Sequence, residues 1–275
     1  MKQREEGVTY IATISGGKDS TVMCDLLLKN KYPVDYIIFT DTLAEHEEMY
    51  TYIDKVNTYF KERYKKEITI LKPKTTPNEF MFSRVKFRKG VKRAGQIKGV
   101  FNPLMGFCEW RRVSKLDPIE KWKKDLGIDT CKTYIGITTD EKNRADWEHE
   151  FNVYPLITEF QMSETKCQEY LINQEMENPL YKHFTRTGCA FCPAQSKQDK
   201  YNIWRFYPKV WANMKDIEER LYKLEADGET VISIGWHGLN RETISSMEKE
   251  FEAVSNQGSL FDFSDEALKD CFCKI

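Results

Sequence analysis

The feature that most constrains this chain is a glycine-rich loop between a predicted strand and a predicted helix. Apolar residues alternate over 8–14 as in a strand, and an apolar stripe at helical spacing runs through 20–29. The loop between them is Ser15-Gly16-Gly17-Lys18-Asp19-Ser20. Its glycines allow a tight turn and a close approach to a ligand, and the N–H groups that begin a helix attract anions. Together with the cation of Lys18, they predict a site for nucleotide phosphates; a simple capped turn is the alternative.

The rest of the chain alternates strand patterns with helix patterns. We predict strands at 8–14, 34–39, 67–71, 132–137 and 153–157. We predict helices at 20–29, 45–66, 117–126, 163–177 and 199–227, the last bent or divided by Pro208. This order predicts an α/β protein with a parallel twisted sheet flanked by helices and Rossmann-like, right-handed crossovers. We expect a nucleotide-binding domain over 1–160, with a basic loop inserted at 72–107, and a mostly helical, cysteine-bearing part over 161–275.

The loop and its flanks, Thr13 to Val22, resemble the PP-loop of the ATP pyrophosphatase and phosphoadenosine phosphosulfate (PAPS) reductase family. The spacing differs from that of a Walker A loop and of a Gly-x-Gly-x-x-Gly loop. Four later segments are similar to further motifs of the family, in the same order: 39–42 with Glu45, 136–141 with Arg144, 154–157, and 188–193. The resemblance covers about residues 8–215. It implies an adenine nucleotide alpha-hydrolase-like fold.

The resemblance also implies a chemistry. An ATP-using member cleaves ATP between the α- and β-phosphates, and the departing pyrophosphate needs a cation, loop N–H groups and Mg²⁺. The implied nucleotide contacts are Ser15, Gly16, Gly17, Lys18, Asp19, Ser20, Asp41, Thr42 and Gly136, with Lys18 and Asp41 catalytic. Asp41 would position Mg²⁺ or the ribose; a strand-end carboxylate in a turn is the alternative. Because sulfonucleotide reductases resemble this chain but usually have a degraded loop, the intact loop favours ATP.

Cys189 and Cys192 form a Cys-x-x-Cys pair at the spacing of metal ligands. Alone, the pair is compatible with half of a zinc or iron–sulfur site, or with a redox dithiol. The resemblance adds Cys108, whose segment is similar to the one that joins the later pair at a 4Fe–4S cluster. Such a cluster usually takes four cysteines, so we predict Cys273 or Cys271 as the fourth ligand, unless one iron stays open for a sulfide. Zn²⁺ on the same ligands and reduced thiols packed together are the alternatives.

Basic residues are concentrated in the segment 84–115, with phenylalanines interspersed. Its basic members are Arg84, Lys86, Arg88, Lys89, Lys92, Arg93, Lys98, Arg111, Arg112 and Lys115, and Phe80, Phe82, Phe87 and Phe101 lie among or just before them. The formal net charge of the chain is -1, so this is a local positive patch. Phosphate contacts combined with aromatic stacking suit a nucleic acid. A small phosphorylated substrate and a solvated loop are the alternatives.

The chain shows neither an apolar stretch of about 18–20 residues nor a secretory signal at its start. We therefore expect a cytoplasmic protein, without a membrane segment, whose eight cysteines are reduced. The leading hypothesis is an ATP-using sulfur-transfer enzyme of the tRNA-thiolation or DNA-phosphorothioation type. It would adenylate an acceptor and receive sulfur from a donor protein such as a cysteine desulfurase. The alternatives are a PAPS or APS reductase with Cys271 or Cys273 as nucleophile, and a non-catalytic nucleotide-sensing subunit.

Overall fold

Five parallel strands form one sheet. The computed structural model describes residues 3–84, 89–97, 99, 108–232, 234–236 and 242–256. The strands are β1 (Thr9–Ile14), β2 (Tyr36–Thr40), β3 (Ile68–Leu71), β4 (Cys131–Tyr134) and β5 (Asn152–Val153). Their order across the sheet is β3-β2-β1-β4-β5, and all four pairings between these strands are parallel. The predicted α/β class, with a parallel sheet flanked by helices, is confirmed.

The helices divide between two compact units of the chain. One unit is drawn from Met1–Pro73 and Ser114–Lys182, and the other from Lys74–Val113 and His183–Lys274. The first unit holds the sheet with α1 (Lys18–Lys29), α2 (Glu47–Tyr64), α5 (Asp117–Asp125), α6 (Pro155–Thr158) and α7 (Glu164–Asn173). The second holds α3 (Pro77–Arg84), α4 (Glu109–Arg111), α8 (Lys197–Phe206), α9 (Pro208–Ala226) and α10 (Ile244–Asn256). A π-helical stretch, Arg112–Leu116, joins α4 to α5.

Apolar burial holds the sheet of the first unit between its helices. In the two central strands, Ile11, Ala12 and all of Ile37 to Phe39 are at most 2% exposed. Consecutive buried residues show that both faces of these strands are covered, as is usual for parallel sheets. Helices α1 and α2 contribute the side chains Val22, Met23, Leu27, Ile53, Val56 and Phe60, all at most 2% exposed. Full burial of each such side chain stabilises the fold by about 1.5–3 kcal/mol.

The central position of β1 determines where a ligand meets the sheet. Parallel strands bring their carboxyl ends to one edge, where α/β proteins bind ligands. The loop at 15–20 follows β1, and the segments that begin at Asp41 and Ile135 follow its neighbours β2 and β4. Three segments that carry candidate site residues therefore lie at the same edge of the sheet.

Two sequence predictions of local structure are wrong in part. Pro77–Arg84 forms helix α3, where we expected a loop throughout 72–107. The N–H of Thr76 donates to the Glu79 carboxylate at 2.8 Å and the Thr76 hydroxyl accepts the Glu79 N–H at 3.2 Å, which is a capping box. The predicted extended stretch 153–157 ends at Val153, because Pro155 begins the short helix α6.

The predicted division of the long helix at Pro208 is confirmed. Helix α8 ends at Phe206 and α9 begins at Pro208, whose ring cannot continue a preceding helix. In the part of the chain that the structure describes, no helix combines the length and the apolar character needed to cross a bilayer.

Candidate functional site

The glycine-rich loop leads from β1 directly into α1. It is closely packed at two glycines, Gly16 in the loop itself and Gly136 in the segment after β4. Gly16 has a φ of +76°, a backbone conformation that residues with a Cβ rarely adopt. A Cβ on it would lie 2.2 Å from the Sδ of Met49. Gly136, which follows β4, packs on the loop itself: a Cβ there would lie 2.8 Å from the Cα and 2.9 Å from the N of Ser20. The segments after β1 and β4 are therefore in direct backbone contact.

Hydroxyl groups brace the loop from within. The Oγ of Ser20 accepts the N–H of Ser15 at 3.0 Å and lies 3.0 Å from the Ser15 Oγ. The carbonyl of Gly17 accepts from the hydroxyls of Ser20 at 3.1 Å and Thr21 at 2.9 Å. Gly17 is the N-cap residue of α1 and offers no side-chain cap. The N–H groups that begin α1 therefore depend on other partners, as in helix ends that bind anions.

Lys18 carries the positive charge of the loop. Its Nζ lies 2.8 Å from an Oε2 of Glu164 and 5.5 Å from the ring centroid of Tyr181. Its backbone N–H donates to the Tyr181 hydroxyl at 2.9 Å. Burial lowers the pKa of the Lys18 ammonium, but the hydrogen-bonded ion pair with Glu164 outweighs burial, and the pKa lies above its ordinary value. Lys18 is therefore charged at neutral pH, and Glu164 holds its ammonium group.

Three carboxylates gather beside Lys18. One oxygen each of Asp19, Glu141 and Glu164 lies within 4.8 Å of the other two. They come from α1, from the 3₁₀ turn after β4, and from the first residue of α7. Glu164 forms an ion pair with Lys18, and Glu141 forms one with Arg144. Carboxylate oxygens are the ligands that Mg²⁺ prefers, so this group, which our sequence analysis did not assign to a metal, is a candidate Mg²⁺ site.

Asp41 and Thr42 lie buried at the end of β2, with their polar groups in use. The Oδ1 of Asp41 accepts a backbone N–H two residues later at 2.8 Å and the hydroxyl of Tyr50 at 3.0 Å. Its Oδ2 lies 3.4 Å from the Nζ of Lys72, and Thr42 donates to Glu45 at 2.7 Å. These contacts match the strand-end turn that the sequence leaves open as an alternative. A role of Asp41 in catalysis stays a prediction.

The three predicted metal-binding cysteines with described positions all belong to the second unit. Cys108 and Cys189 pack against one buried cluster. Its members are Phe80, Trp110 and Val113. Cys192 lies one turn after Cys189, to whose carbonyl its N–H donates at 3.1 Å. All three are partly exposed. The predicted fourth ligand, Cys273, and its neighbour Cys271 lie outside the described residues.

A buried lysine that the sequence analysis missed supports the cysteine loop. Lys200 is 0% exposed, and its Nζ donates to the carbonyl of Cys192 and, at 3.0 Å, to the side-chain oxygen of Gln195. The amide of Gln195 in turn donates to the carbonyl of Cys189 at 3.3 Å. Burial lowers the pKa of Lys200 to about 8, against the attraction of Cys192 and Asp199. This network holds the backbone carbonyls at both ends of the Cys-x-x-Cys turn and places a cation near Cys192.

The cysteine thiols are potential donors for two kinds of metal group. Among the described residues, the three potential ligands that lie within 4.8 Å of one another are those of the carboxylate group beside Lys18. Cysteine thiolates bind Zn²⁺ in tetrahedral sites, and they also hold iron–sulfur clusters. Cys108, Cys189 and Cys192 therefore offer the type of donor that either metal group requires.

Comparison with known families decides which proteins this chain is related to. Residues 9–195 match the model of the phosphoadenosine phosphosulfate reductase domain. The match covers more than half of the 275 residues and contains the loop, the carboxylate group and the Cys-x-x-Cys pair. The chain belongs to the phosphoadenosine phosphosulfate reductase domain family. The family resemblance that the sequence motifs indicated is thereby confirmed.

Individual relatives of this member of the reductase domain family are distant. An uncharacterized protein of Methanocaldococcus jannaschii is 27% identical over 218 residues, which are 76% of this chain and 47% of that protein. A second uncharacterized protein of the same organism is 26% identical over 219 residues, 75% of this chain and 41% of that protein. The chain thus spans less than half the length of these relatives.

Two solved structures are similar at a lower level. PAPS reductase from Candida auris, in a phosphate complex, gives a TM-score of 0.46 at 18% identity and covers 66% of this chain and 81% of its own. The second is the U34-tRNA thiolase NcsA from Methanococcus maripaludis with its 4Fe–4S cluster, with a TM-score of 0.40 and 16% identity. The alignment covers 98% of this chain and 80% of the thiolase chain. The family assignment depends on the domain match and not on these two likenesses.

The basic segment of this reductase-family chain is described only in part. Lys89, Lys92 and Arg93 are exposed to solvent. Lys86, Arg88 and Lys98, with Phe87 and Phe101, lie outside the described residues. Its binding of a nucleic acid stays a prediction.

Proposed function

We propose that this chain binds ATP on the loop at 15–20, cleaves it between the α- and β-phosphates to adenylate an acceptor, and takes part in sulfur transfer with an iron–sulfur cluster on Cys108, Cys189 and Cys192. One observation carries the proposal: an intact phosphate loop in which Lys18 lies beside three carboxylates that could hold Mg²⁺. A sulfonucleotide reductase has no pyrophosphate to bind and would not need this combination.

The loop supplies the contacts that a triphosphate requires. The N–H groups that begin α1 and the dipole of this 12-residue helix favour an anion at Gly17. Gly136 leaves no room for a side chain between the two ligand-binding segments. In the free protein the charge of Lys18 is balanced by Glu164, at 2.8 Å. We expect Lys18 to turn from Glu164 to the β- and γ-phosphates when ATP binds, which leaves the carboxylates to the metal ion.

The cleavage step balances in atoms and charge. An oxygen of the acceptor attacks the α-phosphorus, the bond from that phosphorus to the bridging oxygen breaks, and pyrophosphate leaves with the bridging oxygen. Mg²⁺ on Asp19, Glu141 and Glu164 would neutralise charge that develops on the leaving group. Lys18 and the loop N–H groups stabilise the same charge from the protein side. In the second step a sulfur nucleophile attacks the activated atom of the acceptor, and AMP leaves with the acceptor oxygen.

The cysteine loop has the properties of an anionic metal-binding site. Cys108 and Cys189 share one apolar cluster, and the buried ammonium of Lys200 lies against the Cys189–Cys192 turn. Asp199 already attracts the Lys200 ammonium, and thiolates bound to a metal would add negative charge beside this costly buried cation. When bound, the cluster would supply a site that holds or activates sulfur. The residues of the chain hold the ligands in place and exclude water on the side of Phe80 and Trp110.

We infer the acceptor from the side-chain chemistry of the basic segment, and the sulfur donor from the proposed reaction. The basic segment 84–115 suits an acceptor on a nucleic acid, because Lys and Arg bind phosphate and aromatic rings stack on bases. A cysteine desulfurase or a similar persulfide carrier would supply the sulfur. Both partners are parts of the proposal.

The proposal is tested by two measurements on anaerobically purified protein. The first is iron and sulfide content with visible absorbance, on the parent chain, on Cys189→Ala, and on Cys131→Ala as the control. We expect iron and sulfide in the parent and the control, and loss in Cys189→Ala. A colourless parent without iron would remove the cluster from the proposal.

The second measurement is pyrophosphate release from ATP with Mg²⁺ and a pool of tRNA and single-stranded DNA. We expect release by the parent and by Lys29→Ala, which changes an exposed lysine at the far end of α1. Lys18→Ala should lower the rate by about 10²–10³, the usual effect of losing one charge-stabilising group. Sulfite release from PAPS with a thiol donor, and no pyrophosphate from ATP, would establish the reductase alternative instead. Nucleotide binding without turnover would favour the sensing subunit.

A further inference from the structure

The short segment 178–181, at the end of the first unit's chain, contacts the phosphate loop at two successive peptide groups. Asn178 is 1% exposed, and its side-chain amide donates to the carbonyl of Gly16 at 2.8 Å. Three residues on, in the 3₁₀ turn that begins at Pro179, the hydroxyl of Tyr181 accepts the N–H of Lys18 at 2.9 Å. Neither residue lies in a motif that the sequence analysis singled out.

The contact of Asn178 determines how one loop peptide is oriented. The described chain has no cis peptide bonds, so the peptide between Gly16 and Gly17 is trans and planar. In a trans peptide the C=O and the N–H point in opposite directions. Because Asn178 holds the Gly16 carbonyl, the N–H of Gly17 is directed away from Asn178, and it makes a long contact of 3.4 Å with the Oγ of Ser15. Gly17 is the N-cap of α1, the position from which a helix presents N–H groups to an anion.

The asparagine has contacts that few other side chains could make together. Its Oδ1 accepts the N–H of Leu180 at 3.0 Å while its Nδ2 donates to Gly16. These two contacts fix the amide in one orientation. If its oxygen and nitrogen were exchanged, the oxygen would face the Gly16 carbonyl oxygen and the NH₂ group would face the Leu180 N–H. The Gly16 peptide is also confined by Met49, which lies 2.2 Å from where a Cβ would be.

We propose that Asn178 is a positioning residue of the phosphate loop, which acts through the Gly16 carbonyl to aim the N–H of Gly17 at a phosphate oxygen of the nucleotide. This inference rests on the proposed function, since it concerns the same loop. Asn178 does not itself touch the phosphate. Tyr181 acts on the next peptide group. The Tyr181 hydroxyl oxygen accepts the N–H of Lys18 at the position that a phosphate oxygen would take.

The test uses inorganic pyrophosphate as the probe and the full chain with Asn178→Asp. An aspartate has the same shape and still accepts from Leu180, but it presents a second acceptor to the Gly16 carbonyl and repels it. The matched control is Asn30→Asp, since the Asn30 amide also donates to a carbonyl at 2.8 Å, that of Leu26, at the opposite end of α1. Calorimetry gives the pyrophosphate affinity, and the ¹H–¹⁵N signal of Gly17 reports its N–H directly.

We expect Asn178→Asp to bind pyrophosphate about tenfold or more weakly, the effect of one misdirected hydrogen bond to a charged group. Asn30→Asp should stay within about twofold of the parent, because its changed contact lies outside the loop. The Gly17 signal should shift on pyrophosphate addition in the parent and the control, but not in Asn178→Asp. A general loss of structure would change most signals, so the selective loss at Gly17 separates positioning from unfolding. If Asn178→Asp does not fold, Asn178→Ala removes the donor without adding a charge, and the same loss is expected.

Two outcomes would overturn the inference. If the parent binds pyrophosphate and the Asn178 variant binds it equally well with an unchanged Gly17 response, the positioning role is wrong and the proposed function stands. If the parent binds neither pyrophosphate nor ATP, the proposed function and the inference fail together.

Discussion

The substitution Gly136→Ala tests whether the segments after β1 and β4 form one site. The new Cβ would lie 2.8 Å from the Cα of Ser20, 2.9 Å from its N and 3.2 Å from the carbonyl carbon of Asp19. All three contacts are with backbone, which no side-chain rotation can relieve. Ordinary van der Waals contact begins at 3.4 Å, so the two segments must separate by about 0.6 Å.

The cost of this separation has two parts. Overpacking of this kind destabilises a protein by about 1–3 kcal/mol, which corresponds to a fall of several degrees in the unfolding temperature. The displaced backbone is also the part of the loop that begins α1. Because a misplacement of about 1 Å at a reacting group can cost about 10²-fold in rate, we expect nucleotide affinity and pyrophosphate release to fall by about tenfold or more.

The assay pairs thermal unfolding with ATP binding, and Gly188→Ala serves as the control. A Cβ on Gly188 would meet nothing within 4 Å, and its φ is not in the left-handed region. The control should therefore match the parent in both measurements. The reasoning is refuted if Gly136→Ala unfolds at the temperature of the parent and binds ATP with the affinity of the parent.

Three further predictions concern the carboxylates, the buried lysine and the cysteine loop. Glu141→Gln should raise the Mg²⁺ concentration needed for half-maximal pyrophosphate release severalfold, since one of three oxygen ligands loses its charge. The control, Glu148→Gln at an exposed position, should leave that concentration unchanged, and the same Mg²⁺ dependence in both variants would contradict the carboxylate Mg²⁺ site. Lys200→Met should leave the Cys192 carbonyl without its buried donor, destabilise the second unit by about 1–3 kcal/mol and lower bound iron per chain; full iron retention would argue against its role. Ser196→Ala removes the capping box of α8 and should cost about 1 kcal/mol in urea unfolding, with iron content as the check that the neighbouring cysteine loop is undisturbed.

What the sequence predicts well in this chain is local. The phosphate loop is contiguous, and its place between β1 and α1 follows from periodicity alone. Pro208 divides a helix because proline removes a backbone donor wherever it occurs. The start of helix α3 also has a local signal, the Thr-x-x-Glu pattern of a capping box at Thr76 and Glu79. Our sequence analysis did not use this signal and predicted a loop.

What the sequence could not predict depends on contacts between distant residues. Glu164 is far from Lys18 along the chain, and only the packing of α7 near α1 brings their charged groups to 2.8 Å. Asn178 and Lys200 have no motif at all: an isolated asparagine or lysine gives no periodic or spacing signal, and each acts through a backbone carbonyl. The buried lysine even contradicts the usual expectation that lysines lie at the surface.

The two units are interleaved along the chain, and this sets the order in which they can be completed during synthesis. The last segment of the first unit's sheet and helices ends at Lys182. Cys108, in contrast, is joined by Cys189 and Cys192 only after more than 80 further residues have been made. Domains generally fold as soon as their residues have left the ribosome. The phosphate loop can therefore form on the nascent chain, while the cysteine cluster is assembled late. A chain interrupted before residue 189 would carry the first unit and four of the eight cysteines, but of the three proposed ligands only Cys108. A metal group held by all three would therefore be loaded only after the first unit has been made.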